Sequence, residues 1–292
     1  MASRLSRSAL YLPASNSRAI DKARGLACDM VILDLEDSVA PEAKAVARSQ
    51  AVEAVRAGGF GHRQLIIRCN GLDTPWGADD LAAVAKAAPD AVLVPKVNGP
   101  TDLAAWERGL AQAPATLGLW AMIETCAAIS ALDVIAATTH GGRLAGLCLG
   151  LNDLALALGA RLAPGRAAFA TVMSLTVLAG RAHGIGLLDG VFNDLDDPEG
   201  LEAECRQGAE FGFDGKTLIH PGQIEICNRA FGPDPAALAK AEAIIAAFAD
   251  PDNAGRGALR VEGRMVERLH LAQAWRLRDQ ARLIAARGEA AA

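Results

Sequence analysis

The 292-residue sequence predicts a (β/α)8 TIM barrel followed by a C-terminal helical and hairpin extension. Three observations predict it. Eight short apolar runs recur before residue 221, alanine-rich segments with helical spacing separate them, and polar residues collect at their C-terminal ends. Near-continuous apolar strands point to a parallel sheet covered by helices. A doubly wound open sheet is the alternative. It would use fewer strands and a glycine-rich first turn, and the first turn here, PASNSR, lacks GxGxxG.

The strand candidates are residues 8–13 (SALYLP), 30–36 (MVILDLE), 64–70 (QLIIRCN) and 91–97 (AVLVPKV). The second four are 117–124 (LGLWAMIE), 143–150 (RLAGLCLG), 184–192 (GIGLLDGVF) and 212–220 (GFDGKTLIH). Helical spacing marks 18–26, 44–57, 79–88, 128–137 and 200–210 among the connections. Residues 1–232 are read as the barrel. Residues 233–292 form an extension that packs on it or on a neighbouring subunit: a helix over 233–248 and a linker over 250–257 (DPDNAGRG). A hairpin over 258–267, turning at Glu262 and Gly263, leads to a basic amphipathic helix over 269–286.

Composition narrows the function classes. With 51% hydrophobic residues the chain can bury one large core. The formal net charge is -5 and there is no long basic run, so nucleic acid is not expected as a partner. No stretch approaches the roughly 18 apolar residues of a membrane span, and no export signal is visible, so the expected location is cytoplasmic. The six cysteines are scattered without a CxxC pair and read as reduced, buried thiols.

In a barrel, polar residues at the strands' C-terminal ends converge on one mouth. Here they are Tyr11, Asp34, Glu36, Asp37, Arg68, Asn70, Lys96, Glu124, Asn152, Asp153, Asp189, Asn193, Lys216 and His220. Charges in apolar strands need partners or ligands, so the set is either a ring of ion pairs or a site. Glu124 and Asp153 follow neighbouring strands and suit magnesium, a hard cation that takes oxygen ligands. Alternatively each caps the helix after it. No His or Cys cluster with zinc spacing competes. Arg68 offers a planar fork for a substrate carboxylate or oxyanion, or a salt bridge to Glu36 or Asp37. Lys96 raises Schiff-base chemistry, although so many neighbouring acids favour a charged, paired lysine.

The segments RSALYLPASNSRAIDKARGLACDMVILDLEDSVAPEAK, IIRCNGLDTPWGADDL, VLVPKV, AMIET, GLNDL and GFDGKTLIHPGQI occur in order from Arg7 onward. Together they resemble the HpcH/HpaI aldolase/citrate lyase β-subunit-like family, the CoA-ester lyases that include malyl-CoA and citramalyl-CoA lyases. The resemblance implies a Mg2+-dependent barrel, with Mn2+ as a substitute, that makes or breaks a carbon–carbon bond beside a CoA thioester. A 2-oxo acid is the other product.

By position it implies Glu124 and Asp153 as metal ligands and Arg68 as the arginine holding the oxo-acid oxygen. Glu124, Ile219 and His220 fall against substrate, and Tyr11, Arg18 and Lys22 against the CoA nucleotide. It also implies a homo-oligomer, with a trimer favoured, because in relatives a tail aspartate reaches a neighbouring subunit and exchanges a proton with the acyl carbon. The family stretch resembles GxMVDxP. Here it reads GRMVERLH, which puts Glu267 in the aspartate's place and loses the proline. Lyase cleavage of a 3-hydroxyacyl-CoA is the first expectation. A citrate lyase β subunit acting on a citryl thioester, a malyl-CoA thioesterase and a non-catalytic acyl-CoA-binding module are the alternatives.

Overall fold

Side chains alternate along a strand, so strands apolar on both faces need cover on both, and a closed barrel wrapped by helices supplies it. The structure is a computed structural model and describes residues 4–290. One compact unit spans Ser6–Phe231; the described residues from Gly232 onward, with Arg4 and Leu5, belong to a second. The first unit begins β1 (Ser8–Pro13), α1 (Ser17–Ala23), β2 (Met30–Asp34), α2 (Lys44–Ala57), β3 (Gln64–Arg68), α3 (Gly77–Ala87), β4 (Ala91–Val94) and α4 (Pro100–Gly109). It continues β5 (Gly118–Ile123), α5 (Cys126–Ser130), α6 (Leu132–Ala136), β6 (Leu144–Leu149), α7 (Leu151–Leu158), α8 (Ala170–His183), β7 (Gly186–Asp189), α9 (Pro198–Phe211), β8 (Gly215–Leu218) and α10 (Ile224–Ala230). The eight strands pair in sequence order and β8 closes on β1. Ala9 is in register with Met30 on one side and Thr217 on the other, both parallel. This is the expected (β/α)8 barrel.

The two faces of the sheet are filled differently. Met30, Ile32, Ile66, Leu93, Trp120, Met122, Cys148 and Leu188 form a cluster drawn from strands alone, which places it inside the barrel. Their sequence neighbours Val31, Leu33, Ile67, Val92, Leu119, Leu147 and Leu187 pack with helix residues such as Ala47, Val84 and Leu103 in the outer layer. The Trp120 indole needs space inside. A Cβ at Gly146 would lie 2.5 Å from its ring and one at Gly186 2.8 Å, so the two strands beside it carry glycine there. Below the first strands, buried Arg7 donates from its backbone N–H, Nε and Nη2 to the Asp29 carboxylate.

Several strands end sooner than the apolar runs suggest. The run 30–36 leaves the ladder after Asp34, where the Glu36 and Ser38 amides donate to the Asp34 carboxylate and turn the chain. The run 91–97 ends at Val94, and Lys96 adopts a left-handed φ of 51°. Asn152 and Asp153, just past the run 143–150, lie in the first turn of α7. The helical run 128–137 is two short helices, broken at Ala131 (φ -114°, ψ 13°). Of the six cysteines, all free, Cys126 departs from the expected burial and is exposed.

The second unit contains α11 (Pro235–Ala249), β9 (Ala258–Val261), β10 (Arg264–Glu267) and α12 (Arg268–Ala290). Asp234 caps α11 by accepting from the Ala237 N–H. The two-residue turn is formed by Glu262 (φ 48°) and Gly263 (φ 80°), the left-handed pair that matches strand twist in a tight hairpin. No helix among the described residues is long and apolar enough to cross a membrane.

Candidate active site

The charges at the mouth divide into those that are paired and those that are not. Asp189 ends β7 fully buried. Arg166 Nη1 reaches both its oxygens at 2.8 Å, and Lys216 Nζ of β8 reaches Oδ2 at 2.9 Å and Glu204 Oε2 at 3.1 Å. Burial alone would raise the Asp189 carboxyl, but Lys216 and Arg166 hold it below the ordinary carboxylate range. For Asp189 and Lys216 the ion-pair reading is therefore the one the structure shows. Their third partner, Arg166, gave no sequence signal because it comes from a loop and adopts a left-handed φ of 48°.

Arg68 ends β3 opposite Asp34 in the β2–β3 register. Its Nε and Nη2 grip the two Asp34 oxygens at 2.7 Å each, a bidentate pair that orients the guanidinium plane. Nη1 lies 2.9 Å from Glu36 Oε2 and 3.4 Å from Asp37 Oδ2, and Cζ lies 4.8 Å from the Tyr11 ring centroid. Burial opposes the Asp34 charge, yet Arg68, with hydrogen bonds from Ser38 and the Glu36 amide, keeps its pKa lowered. Glu36 behaves differently although it shares the same arginine. Burial first, then Asp37 and Glu124, push it up to about 7. The difference follows from geometry: Asp34 takes two hydrogen bonds from the fork, whereas Glu36 Oε2 has an ion-pair distance without a hydrogen-bond partner.

Glu124 follows β5 and is 1% exposed. Its Oε1 accepts from the Lys96 backbone N–H at 2.6 Å, and its buried Oε2 has no hydrogen-bond partner. Burial, assisted by Asp153, raises its pKa to about 7 against the Lys96 hydrogen bond. The left-handed turn at Lys96 thus presents an amide to one oxygen of Glu124 while the other stays bare. The Lys96 side chain is about half exposed, with Nζ 3.6 Å from Glu36 Oε1. Burial is the largest single influence and opposes its charge, but Glu36, Asp37, Asp153 and Glu124 together raise its pKa, so it holds its proton and is a poor Schiff-base nucleophile.

A cavity of about 300 Å3 opens at this end of the barrel, lined by Tyr11, Asp34, Asp37, Arg68, Met122, Gly150, Asp153, Thr217 and Ile219, among others. Glu124 stands behind Gly150, where a Cβ would fall 2.5 Å from its Oε2. The structure therefore brings Tyr11, Arg68, Glu124, Asp153 and Ile219 together. Tyr11 lies under Arg68, whereas Arg18 and Lys22 are exposed on α1. The exposed His220 caps a 3-10 turn through Nδ1, which accepts from the Gly222 N–H at 3.1 Å. Glu267 ends β10 in the second unit, where its N–H donates to His270 Nδ1.

The donor set fits a hard divalent cation. An unpartnered buried carboxylate oxygen beside a second carboxylate is a costly arrangement that such an ion relieves. Among the described residues no three or more His, Cys, Asp or Glu side chains gather at one metal position, so substrate and water oxygens would complete the shell.

Sequence reasoning missed one support. Lys44, 6% exposed, donates from Nζ to the carbonyls of Leu35 and Glu36 at 2.8 and 2.7 Å and to Asn70 Oδ1 at 2.8 Å. Asn70 in turn donates to Asp80, which Arg48 holds. This network fixes the loop carrying Glu36 and Asp37 against β3. A lysine near the start of a helix gives no hint of it.

The raised carboxyls set a pH dependence. Glu36 and Glu124 shift from about 4.5 to about 7, so the stability they contribute is complete below about pH 4.5 and is lost as pH rises through about 7. Metal-free protein is expected to unfold at lower urea concentration at about pH 8 than at about pH 5.5, and saturating Mg2+ to flatten the slope. A metal-free midpoint that climbs steadily over that interval would contradict the assignment.

Comparison with known proteins identifies the family. The chain is 47% identical over 280 residues to a (3S)-malyl-CoA thioesterase of Cereibacter sphaeroides, covering 96% of each. It is 34% identical over 310 residues to an L-malyl-CoA/beta-methylmalyl-CoA lyase of the same species, covering 97% of this chain and 96% of the relative. Among solved structures, the protein CitE from Mycobacterium tuberculosis in complex with magnesium, acetoacetate and coenzyme A matches with a TM-score of 0.75 and 32% identity, over 94% of this chain and 97% of that one. Residues 7–221 match the model of one family, and the chain accordingly belongs to the HpcH/HpaI aldolase/citrate lyase family.

Proposed function

We propose that the protein is a magnesium-dependent enzyme acting on a malyl-CoA-type thioester, and that it hydrolyses the thioester to the free acid and CoA. The observation that carries the metal-dependent reading is the bare Oε2 of Glu124, whose carboxyl feels the charges of Asp153 and Arg68. Support for hydrolysis over cleavage comes from the higher identity to the thioesterase than to the lyase. Carbon–carbon cleavage, the first expectation from sequence, becomes the second reading, favoured by the Arg68 cation facing the same cavity.

In this reading Glu124 and Asp153 hold the metal, which when bound supplies a positive charge that polarises substrate oxygens. Asp34 locks one edge of the Arg68 fork through Nε and Nη2, so Nη1, which faces Glu36 at 2.9 Å and Asp37 at 3.4 Å, is the nitrogen that takes a substrate oxygen. Tyr11, Met122 and Ile219 give the cavity an apolar wall that excludes water from the acyl chain. Arg18 and Lys22, exposed on α1, serve the phosphates of CoA. Glu267 of a neighbouring copy in a homo-oligomer, a trimer by the family resemblance, is the proton-transfer group. Its carboxylate takes a proton from the water that attacks the thioester carbonyl; in the second reading its carboxylic acid protonates the enolate carbon.

Product analysis tests this. Purified protein with Mg2+ and (3S)-malyl-CoA is expected to release free CoA and malate, and to stop when a chelator removes the metal. Acetyl-CoA and glyoxylate as main products would put cleavage first. No turnover of malyl-CoA, citramalyl-CoA or citryl-CoA would remove both readings.

A further inference from the structure

On the barrel face opposite the mouth, three polar side chains meet away from the candidate active site. His140 lies between α6 and β6, His183 ends α8 just before β7, and Asp133 is in the first turn of α6. Segments that lead into barrel strands lie at the N-terminal face, away from the catalytic end. His140 Nε2 is 3.1 Å from His183 Nδ1, the rings are T-shaped with centroids 5.2 Å apart, and His183 Nε2 is 2.9 Å from Asp133 Oδ1.

The geometry points to a binding site for a divalent transition-metal ion, of which zinc is the representative, held by His140 Nε2 and His183 Nδ1. A carboxylate can only accept, so Asp133 fixes the Nε2–H tautomer of His183 and leaves Nδ1 as a lone pair aimed at His140. In the metal-free arrangement that lone pair accepts the His140 Nε2–H; with the His140 proton on Nδ1 instead, a second lone pair replaces this hydrogen bond and both nitrogens turn to the metal. Two nitrogens at zinc's usual bond length of about 2.0–2.1 Å and 3.1 Å apart subtend about 100° at the metal, close to tetrahedral. The far-side carboxylate reproduces the carboxylate–histidine–metal arrangement that orients ligands and raises their basicity. Because Asp133 spends its contact on the far nitrogen, the site has two protein donors, with water filling the rest. Imidazole donors select zinc, copper or nickel over magnesium, so this site and the carboxylate site at the mouth take different ions.

A bound ion would clip the segment before β6 to the end of α8. His140 is exposed, so an ion reaches it from solvent.

The experiment keeps Mg2+ in saturating excess and titrates the full-length protein with Zn2+ by calorimetry, with Cu2+ electron paramagnetic resonance as the spectroscopic readout. The expected result is one zinc equivalent that Mg2+ does not displace, and a Cu2+ spectrum with two nitrogen donors. His140→Asn and His183→Gln are expected to abolish both, and Asp133→Asn to weaken zinc binding about 10- to 100-fold. Thioester turnover should be unchanged in all three. Zinc affinity and stoichiometry unaltered in His140→Asn, or a Cu2+ spectrum lacking two nitrogens in wild type, would overturn the proposal. Equal affinity in Asp133→Asn and wild type would also count against it, because the tautomer argument then fails.

Discussion

Glu124→Gln is expected to abolish metal binding and lower turnover by on the order of 10^3-fold while making the metal-free protein more stable. The opposing signs follow from the two oxygens. Oε1 accepts from the Lys96 amide, and glutamine keeps that acceptor. Oε2 is a buried carboxylate oxygen without a hydrogen-bond partner, and above about pH 7 it carries charge that nothing nearby neutralises fully. A neutral amide costs less to bury there, so metal-free Glu124→Gln should gain about 1–3 kcal/mol at about pH 8. Urea unfolding in chelator, together with Mn2+ binding, checks both halves. Wild-type Mn2+ affinity in the variant would remove Glu124 from the metal site.

Arg68→Met should do the reverse, lowering stability and function together. The substitution leaves Asp34 and Glu36 buried without their main cation, and breaking such a pair costs about 3–5 kcal/mol. Wild-type Asp34 has a lowered pKa, so its stabilisation is present above about 3.8 and disappears as pH falls through the folded value. Without the guanidinium, burial dominates, the Asp34 pKa rises, and the variant should recover stability on mild acidification. Arg68→Lys keeps the charge and loses the bidentate fork, so it should fold better than Arg68→Met and still turn over poorly. Denaturant midpoints of the three proteins near pH 5 and pH 8 decide the matter. A variant whose midpoint equals wild type at both would show that Arg68 does not hold the mouth together.

The strands were legible because eight apolar runs have one economical solution, and the acids at their ends marked the mouth. Which acids are paired was not legible. Asp189 and Glu124 look alike in sequence, each following a stretch of apolar residues. Asp189 is neutralised by Arg166, 23 residues earlier, and by Lys216, 27 residues later. Glu124 has a single backbone amide. That distinction depends on where a loop arginine and a neighbouring strand's lysine point, and no local pattern encodes it. Asp153 was expected just past the sixth strand, as a metal ligand or as a cap of the following helix, and it lies in the first turn of α7. Lys44 went unnoticed, and so did its tie to Asn70, because these contacts join the end of β2, α2 and the residues after β3.

Closing eight strands in a ring leaves the barrel with no free edge. The β9–β10 hairpin is the other sheet among the described residues, and as a two-stranded sheet it keeps an unpaired row of backbone groups on each outer side. An extended segment from another molecule could add to it as a third strand, directly beside Glu267. Each strand is only four residues long, and Arg260 and Arg264 put charge along them. Short length and charge are the features that discourage unwanted strand addition, so the sequence guards the open sides of this hairpin.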